Sequence, residues 1–403
     1  MSETLTVRDV EIAAERLTRV IHRTPLERSE TFSEMAGADI YLKFENQQKT
    51  GSFKIRGAYN KISEIVESGS GVKEVVAASA GNHAQGVAFA SRKLGIHAAI
   101  VMPKSTPIAK VKATEGYGAE VVLAGSGYDE AYAAALEIQS SRNATFIHPF
   151  DDNTVIAGQG TIAHEILRDL PNVDVVFIPA GGGGLLAGMA FYLKNVNPRV
   201  KIIGVQAEGA PAIAKSYHGD EADGFKGTIA DGIAVRNPGT LTRELIQKYA
   251  DDVVTVSDAE ISSAILNLLE RCKQIVEPAG AASLAAALRY SDEYRGKRCV
   301  SILSGGNIDV GFIHRIIEIG LAARCRKLKF STVMPDLPGS LEKFSKIMAD
   351  AGANIVMVQY DRMSAELDPH EVILHIACEV GGREHGEAVQ AALERGGYKI
   401  NIS

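Results

Sequence analysis

Behind Thr6, apolar residues recur at helical spacing: Val7, Val10, Ala14, Leu17 and Ile21. Asp9, three residues after that threonine, completes an S/T-x-x-D helix start. From there short β-branched apolar runs alternate with longer stretches of 3.6-residue period. The runs predict strands over 40–44, 74–78, 97–102, 119–123, 173–178, 200–206, 252–256 and 298–303. The longer stretches predict helices over 56–67, 82–94, 107–115, 154–169, 184–194, 258–271, 277–289 and 309–323. Such alternation implies an α/β fold with mostly parallel sheet covered on both faces. Past residue 325 the pattern changes to strand 327–333, helix 340–351, strands 354–360 and 371–379, helix 383–395 and strand 398–402. That order, βαββαβ, is a ferredoxin-like α+β arrangement. No Pro/Gly linker marks the join, so the two parts are expected to be coupled. The stretch 218–240, rich in Gly, Asp and Pro, is long for a loop and reads as functional or mobile.

Composition narrows the partners. A chain of 403 residues should hold more than one domain. Its net charge of -6, with no basic run, argues against nucleic acid or anionic membrane as the main partner. No apolar segment approaches the ~20 residues that span a bilayer, and Glu3, Arg8, Asp9 and Glu11 break any signal-peptide pattern, so a cytoplasmic protein is expected. Cys272, Cys299, Cys325 and Cys378 are widely separated with no CxxC pair; buried free thiols are the better reading than a disulfide scaffold or a zinc site.

Lys54 stands between a glycine-containing turn, Thr50 and Gly51, and a helical stretch, a place suited to Schiff-base chemistry. Most lysines are solvated surface groups, so this one gains meaning only from a companion. The companion is the run Gly181, Gly182, Gly183 and Gly184, between the apolar strand 173–178 and a helix starting near Leu185. Four glycines there expose backbone N–H groups at a helix N-terminus, an anion cup. The run lacks the lysine of a GxxxxGK[ST] loop and the spacing of GxGxxG. A phosphate-bearing cofactor that forms a Schiff base with lysine points to pyridoxal phosphate. Two further loops follow strands and so lie where open α/β sheets bind ligands: Ser79-Ala80-Gly81-Asn82-His83, and Ser304-Gly305-Gly306-Asn307. Taken singly, each Ser or Asn reads equally as a helix cap.

The stretches KTGSFKIRGA (49–58), ASAGNHAQG (78–86), PAGGGGL (179–185), VEPAGA (276–281) and SGGN (304–307) together resemble those of fold-type II pyridoxal-phosphate enzymes, specifically the threonine ammonia-lyases (threonine dehydratases). The likeness runs in order from about residue 5 to 325. It implies a tryptophan synthase β-like catalytic domain of two subdomains over 1–325, the smaller one of about 49–150 inserted in the larger. By the same likeness Lys54 holds the cofactor aldehyde and then removes the substrate α-proton, for which burial must lower its pKa. Phe53, Lys54, Asn82, Gly181, Gly182, Gly183, Gly184, Leu185, Gly232, Glu277 and Ser304 become the cofactor-binding set. Ser79, Ala80, Gly81, Asn82 and His83 hold the substrate carboxylate; His83 reads equally as a first-turn residue with no catalytic task. Glu277 reads either as a ring-side carboxylate or as a helix first-turn acid. Ser304 matches the residue facing the pyridine nitrogen, where a neutral hydroxyl favours prompt loss of a β-substituent over transamination. The implied reaction is elimination of water from a β-hydroxy amino acid, giving 2-oxobutanoate from L-threonine and pyruvate from L-serine, with ammonia.

Two departures refine the picture. Ala80 stands where family racemases place a serine, which disfavours racemisation. Glu208 is present in the stretch that carries a metal site in the racemase branch, but Ala214 replaces its second acid, so no metal is assigned. The tail, 327–403, resembles an ACT regulatory domain, with Asp336, Pro338 and Gly339 in its effector loop, isoleucine or valine as effector, and a homodimer or homotetramer as assembly. A serine or 3-hydroxyaspartate ammonia-lyase, a racemase, and a non-catalytic metabolite-sensing protein are the alternatives.

Overall fold

The computed structural model describes residues 4–220, 224–363 and 367–402; residues 221–223 of the long loop lie outside them. The chain divides into two compact units, 1–309 and 310–403.

The first unit opens as its apolar spacing predicts. Thr6 caps the helix Val7–Leu17 in a complete capping box with Asp9, and Val10, Ala13 and Leu17 are buried. Ile21 lies beyond the end of that helix, four residues after Leu17. Among the described residues ten strands follow: β1 Leu26–Arg28, β2 Asp39–Lys43, β3 Glu74–Ala78, β4 His97–Met102, β5 Glu120–Leu123, β6 Thr145–Phe146, β7 Val175–Pro179, β8 Lys201–Ala207, β9 Asp252–Val256 and β10 Arg298–Ile302. They build a six-stranded sheet in the order β1-β2-β10-β7-β8-β9 and a four-stranded sheet in the order β5-β4-β3-β6. Every pairing is parallel except that of β1 with β2. The smaller sheet comes wholly from chain between β2 and β7.

That strand order decides where the chemistry goes. β2, β10 and β7 are consecutive neighbours and run parallel, so the loops leaving their carboxyl ends lie side by side. Those loops carry residues 44–53, 303–309 and 180–183.

Glycines then bring the helices behind these loops into backbone contact. A Cβ on Gly158 would lie 2.6 Å from Gly57 Cα, so the helices Lys54–Glu67 and Asn153–Asp169 cross with nothing between them. A Cβ on Gly188 would lie 2.2 Å from the Ile156 carbonyl, which sets the same close crossing between Asn153–Asp169 and Gly184–Val196. The helix that begins at Lys54 is thus tied rigidly, through one intermediate, to the helix that begins at the glycine run.

Several elements differ from the sequence reading. The helix predicted over 258–271 is α-helical over Asp258–Asn267 and continues as a π-turn, Leu268–Cys272, ended by Lys273 at φ +57°. Helices Glu30–Ala36, Tyr128–Arg142, Ala212–His218 and Thr240–Tyr249, and strands β1 and β6, are present beyond those the apolar pattern predicts. The four cysteines are free, but only Cys299 and Cys378 are buried; Cys272 and Cys325 are half-buried. Among the described residues no helix is long and apolar enough to cross a membrane.

The second unit begins with the helix Val310–Ala323 and continues through β11 Lys327–Pro335, helix Ser340–Asp350, β12 Asn354–Asp361, β13 Glu371–Glu379, helix Arg383–Arg395 and β14 Ile400–Ile402. The sheet order β12-β13-β11-β14, antiparallel throughout, is the ferredoxin-like topology of βαββαβ. Phe330, Leu374 and Ile376 from the sheet pack on Phe344, Met348, Val389 and Leu393 from the helices.

Candidate active site

Lys54 is the first residue of its helix, and its Nζ donates to the Pro149 carbonyl at 2.8 Å. The residue as a whole keeps partial exposure, but its amine sits among protein atoms, and that burial lowers its pKa to about 8 against the opposing pull of Glu277. The turn before it is stitched to the loop after β10. Phe53 N–H donates to Ser304 O at 3.1 Å, Gly306 N–H to Gly51 O at 2.8 Å, and Ser52 bridges Gly305. Ser304 is buried within this seam.

The glycine run turns from β7 into the helix Gly184–Val196 through Gly183 at φ +96°, a conformation that strains any side chain. The other three are held by close approach. A Cβ on Gly182 would lie 2.2 Å from Phe150 Cδ1, one on Gly184 3.0 Å from Phe150 Cα, and one on Gly181 2.9 Å from Ile233 Cα. Thr242 Oγ1 donates to Gly182 O at 2.7 Å and fixes the turn from outside. The first N–H groups of the helix, from Gly184, Leu185 and Leu186, have no intrahelical acceptor, so the turn offers backbone donors and no acid, the donor set a phosphate needs.

Residues 149 and 150 join the two handles. The Pro149 carbonyl takes the Lys54 amine and the next residue, Phe150, covers Gly182 and Gly184. An amine and an anion cup sharing one wall are what an aldehyde that also carries a phosphate requires.

A half-buried polar chain ending on the buried Glu277 links the neighbouring loops. Asn82, the first residue of helix Asn82–Leu94, donates from Nδ2 to Glu277 Oε1 at 2.8 Å. Asn307 donates from Nδ2 to Asn82 Oδ1 and to Thr50 O, both at 2.7 Å. This chain carries the small-sheet loop 79–83 to the loops of the large sheet. Within that loop Gly81 N–H donates to Ser79 Oγ at 3.2 Å, and Ala80 is half-buried. Gly232 completes the ring: its carbonyl faces Gly181, and a Cβ on it would lie 3.8 Å from Glu277 Oε1. Beside it, Asp231 meets Lys110 of the helix Ile108–Gly116 at 3.5 Å.

The titrating groups are shifted toward neutrality. His83, whose Nε2–H donates to Ile147 O at 2.9 Å, is pushed down to about 3 by burial first and the Lys54 charge second, so it is a neutral ring near neutral pH. Glu277, the N-cap of helix Pro278–Arg289, is raised to about 8 by burial and by Asp231, against the hydrogen bond from Asn82. The folded chain therefore keeps the Glu277 proton where the unfolded chain, with its carboxyl near 4.5, has lost it. Stability falls as pH rises between those two values. Glu277→Gln removes this titration, so its Tm measured against that of the parent should climb across the same window. A difference independent of pH would show that Glu277 is ionised in the folded chain.

Three further placements complete the account. Glu208 pairs with Arg289 at 3.0 Å, while the Ala214 N–H goes to Gln206 Oε1 at 2.8 Å. Glu74, His97 and Glu120 bring ligand-type atoms within 4.8 Å of one another, but Arg142 already pairs with both carboxylates, at 3.1 and 2.7 Å. In the second unit Asp336 forms a two-point ion pair with Arg362, at 2.7 and 3.1 Å, and Gly339 at φ +87° starts the helix Ser340–Asp350. The sequence pattern does not single out Phe150 or Thr242, and it gives Asn307 a place in a loop but no partner. Asn307 lay inside a recognised motif, whereas Phe150 and Thr242 carry no local signature.

Fold and site together define a lysine-and-phosphate-cup α/β enzyme, built to take a phosphorylated aldehyde across three adjacent strand ends. The chain belongs to the family described as "Pyridoxal-phosphate dependent enzyme", whose model matches residues 17–305. It is 47% identical over 400 residues, 99% of both chains, to an L-threonine ammonia-lyase of Thermotoga maritima. Among solved structures it is similar to the processed form of threonine deaminase isoform 2 from Solanum lycopersicum, with TM-score 0.74 and 39% identity over 78% of this chain and 93% of that one. It is also similar to a pyridoxal 5'-phosphate-dependent aspartate racemase, with TM-score 0.73 and 35% identity over 77% of this chain and 98% of that one.

Proposed function

We propose that this chain is a threonine ammonia-lyase, converting L-threonine to 2-oxobutanoate and ammonia and L-serine to pyruvate. The observation that carries the reading is the shared wall: the Lys54 amine on Pro149 and the glycine turn on Phe150. Pyridoxal phosphate, when bound, supplies the electron sink that acidifies the substrate α-proton and lets the β-hydroxyl leave. Lys54 holds the cofactor aldehyde and then moves the proton at the substrate α-carbon, a task its lowered pKa suits. Gly181 through Leu185 bind the phosphate by backbone N–H groups. Phe53, Asn82, Gly232, Glu277 and Ser304 frame the ring, Ser304 offering a hydroxyl where a carboxylate would keep the ring nitrogen protonated. The loop Ser79 to His83 binds the substrate carboxylate, with Ala80 offering no group to deliver a proton to the opposite face.

The tail serves as an ACT regulatory domain, with Asp336, Pro338 and Gly339 at its effector loop, in a cytoplasmic homodimer or homotetramer. The ferredoxin-like topology of the second unit supports this. One experiment separates the two halves of the proposal: a panel of threonine, serine and 3-hydroxyaspartate, assayed for oxo-acid with and without isoleucine or valine. Threonine and serine should be consumed without inversion of the remainder, and an effector should change the threonine rate. Inactivity on both hydroxy amino acids would sink the lyase reading; indifference to both effectors would sink only the regulatory one.

A further inference from the structure

The start of the Lys54 helix is held unusually. Phe53, its N-cap, makes no side-chain capping bond. Two residues on from the lysine, Arg56 is fully buried and all five of its N–H donors are taken. Nε and Nη2 donate to the two oxygens of Glu45, both at 2.8 Å; Nη1 and Nη2 donate to the two oxygens of Glu165, at 2.7 and 3.0 Å; the remaining Nη1 hydrogen goes to Thr161 Oγ1 at 3.0 Å. Lys43, also fully buried, adds a bond to Glu165 at 2.5 Å and one to Thr24 O at 2.7 Å. Two cations face two carboxylates, so the cluster is neutral.

Its anchors come from different elements: Lys43 ends β2, Glu45 opens the short 3-10 turn that follows, and Thr161 and Glu165 lie on the helix Asn153–Asp169. Two residues on a helix point about 200° apart. Arg56 therefore grips the face opposite Lys54, and a clamp there fixes the rotation of the helix about its axis. A buried ion network is a weak source of stability, because desolvating four charges offsets their attraction. What it supplies here is geometry. A cavity of about 370 Å³ adjoins the cluster, lined also by Arg8, Glu11 and Glu15, but Arg8 already pairs with both acids, at 3.2 and 3.3 Å, and the cluster leaves Arg56 no free donor for a ligand.

We infer that Arg56, with Glu45, Glu165 and Thr161, is a positioning group that holds the Lys54 amine at its working angle from behind the helix. The inference rests on Lys54 being the reacting amine, as proposed above, and its test has a readout that does not depend on turnover. Arg56→Lys keeps the charge but cannot make two two-point pairs. The full-length variant should fold and lose kcat by roughly a hundredfold, the scale of an ångström's misplacement, with KM changed far less. In the full chain stripped of cofactor, the pH profile for acylation of Lys54, read by peptide mass, should move toward that of an ordinary lysine as water reaches the amine. Thr161→Val, which removes one of the five arginine bonds together with the hydroxyl's own bond to Gly158 O, should shift both readouts in the same direction by less, and it decides the matter if the arginine variant does not fold. An unchanged Lys54 profile, or a loss of kcat that only tracks the loss of folded protein, would overturn the inference. A shifted profile in a chain inactive on every hydroxy amino acid would retain Arg56 as positioning group and discard the lyase.

Discussion

Lys54→Ala abolishes turnover of threonine and serine while the chain stays folded. The loss should reach about a thousandfold or more, the scale for removing a group that moves a proton in the transition state. Folding should not suffer, because the wild-type amine is held below its ordinary pKa by burial and so costs stability whenever it is charged. In the unfolded chain the same amine titrates near 10.5, so stability rises with pH between about 8 and 10.5, and the alanine variant should lack that rise. Steady-state rates and thermal melts at two pH values check both statements. A variant that keeps a tenth of its activity would remove Lys54 from the chemistry.

Gly182→Ala carries the second large effect. Its new methyl would sit 2.2 to 2.4 Å from three atoms of the Phe150 ring, which must move. Overpacking of this kind costs about 1–3 kcal/mol in a well-packed interior. The functional cost is larger than the stability cost, because Phe150 is bonded to Pro149, whose carbonyl receives the Lys54 amine. One methyl therefore disturbs the anion cup and the amine together. Cofactor affinity, measured by titrating pyridoxal phosphate into stripped enzyme, should fall at least tenfold. Phe150→Leu in the same chain should recover part of it by making room. Full affinity in the Gly182→Ala variant would place the phosphate elsewhere.

Much of this site was legible because each group lies in a local pattern. A strand, a turn of small residues and a helix start recur around Ser79, Gly181 and Ser304, and the βα alternation already placed those turns at strand ends. The ferredoxin-like tail was legible for the same reason, since its alternation and its helical period switch cleanly. What could not be read is long-range. Phe150 follows a two-residue strand and Thr242 lies in an unpredicted helix; both matter only because the chain brings them to glycines tens of residues away. Arg56 stood in plain view within a recognised stretch, but nothing local says that five donors will find partners on two other elements. The missed helix Tyr128–Arg142 has a simple cause: it buries little but Ala131 and Ala135, so its apolar spacing is faint.

Lys54 and the glycine turn should grip two ends of one molecule, and reductive trapping tests this most directly. Borohydride treatment of the cofactor-loaded chain, followed by proteolysis and mass mapping, should place a phosphopyridoxyl group on Lys54 alone, at reduced yield in the Gly182→Ala variant. A label on another lysine, or a yield at Lys54 indifferent to the glycine substitution, would contradict it.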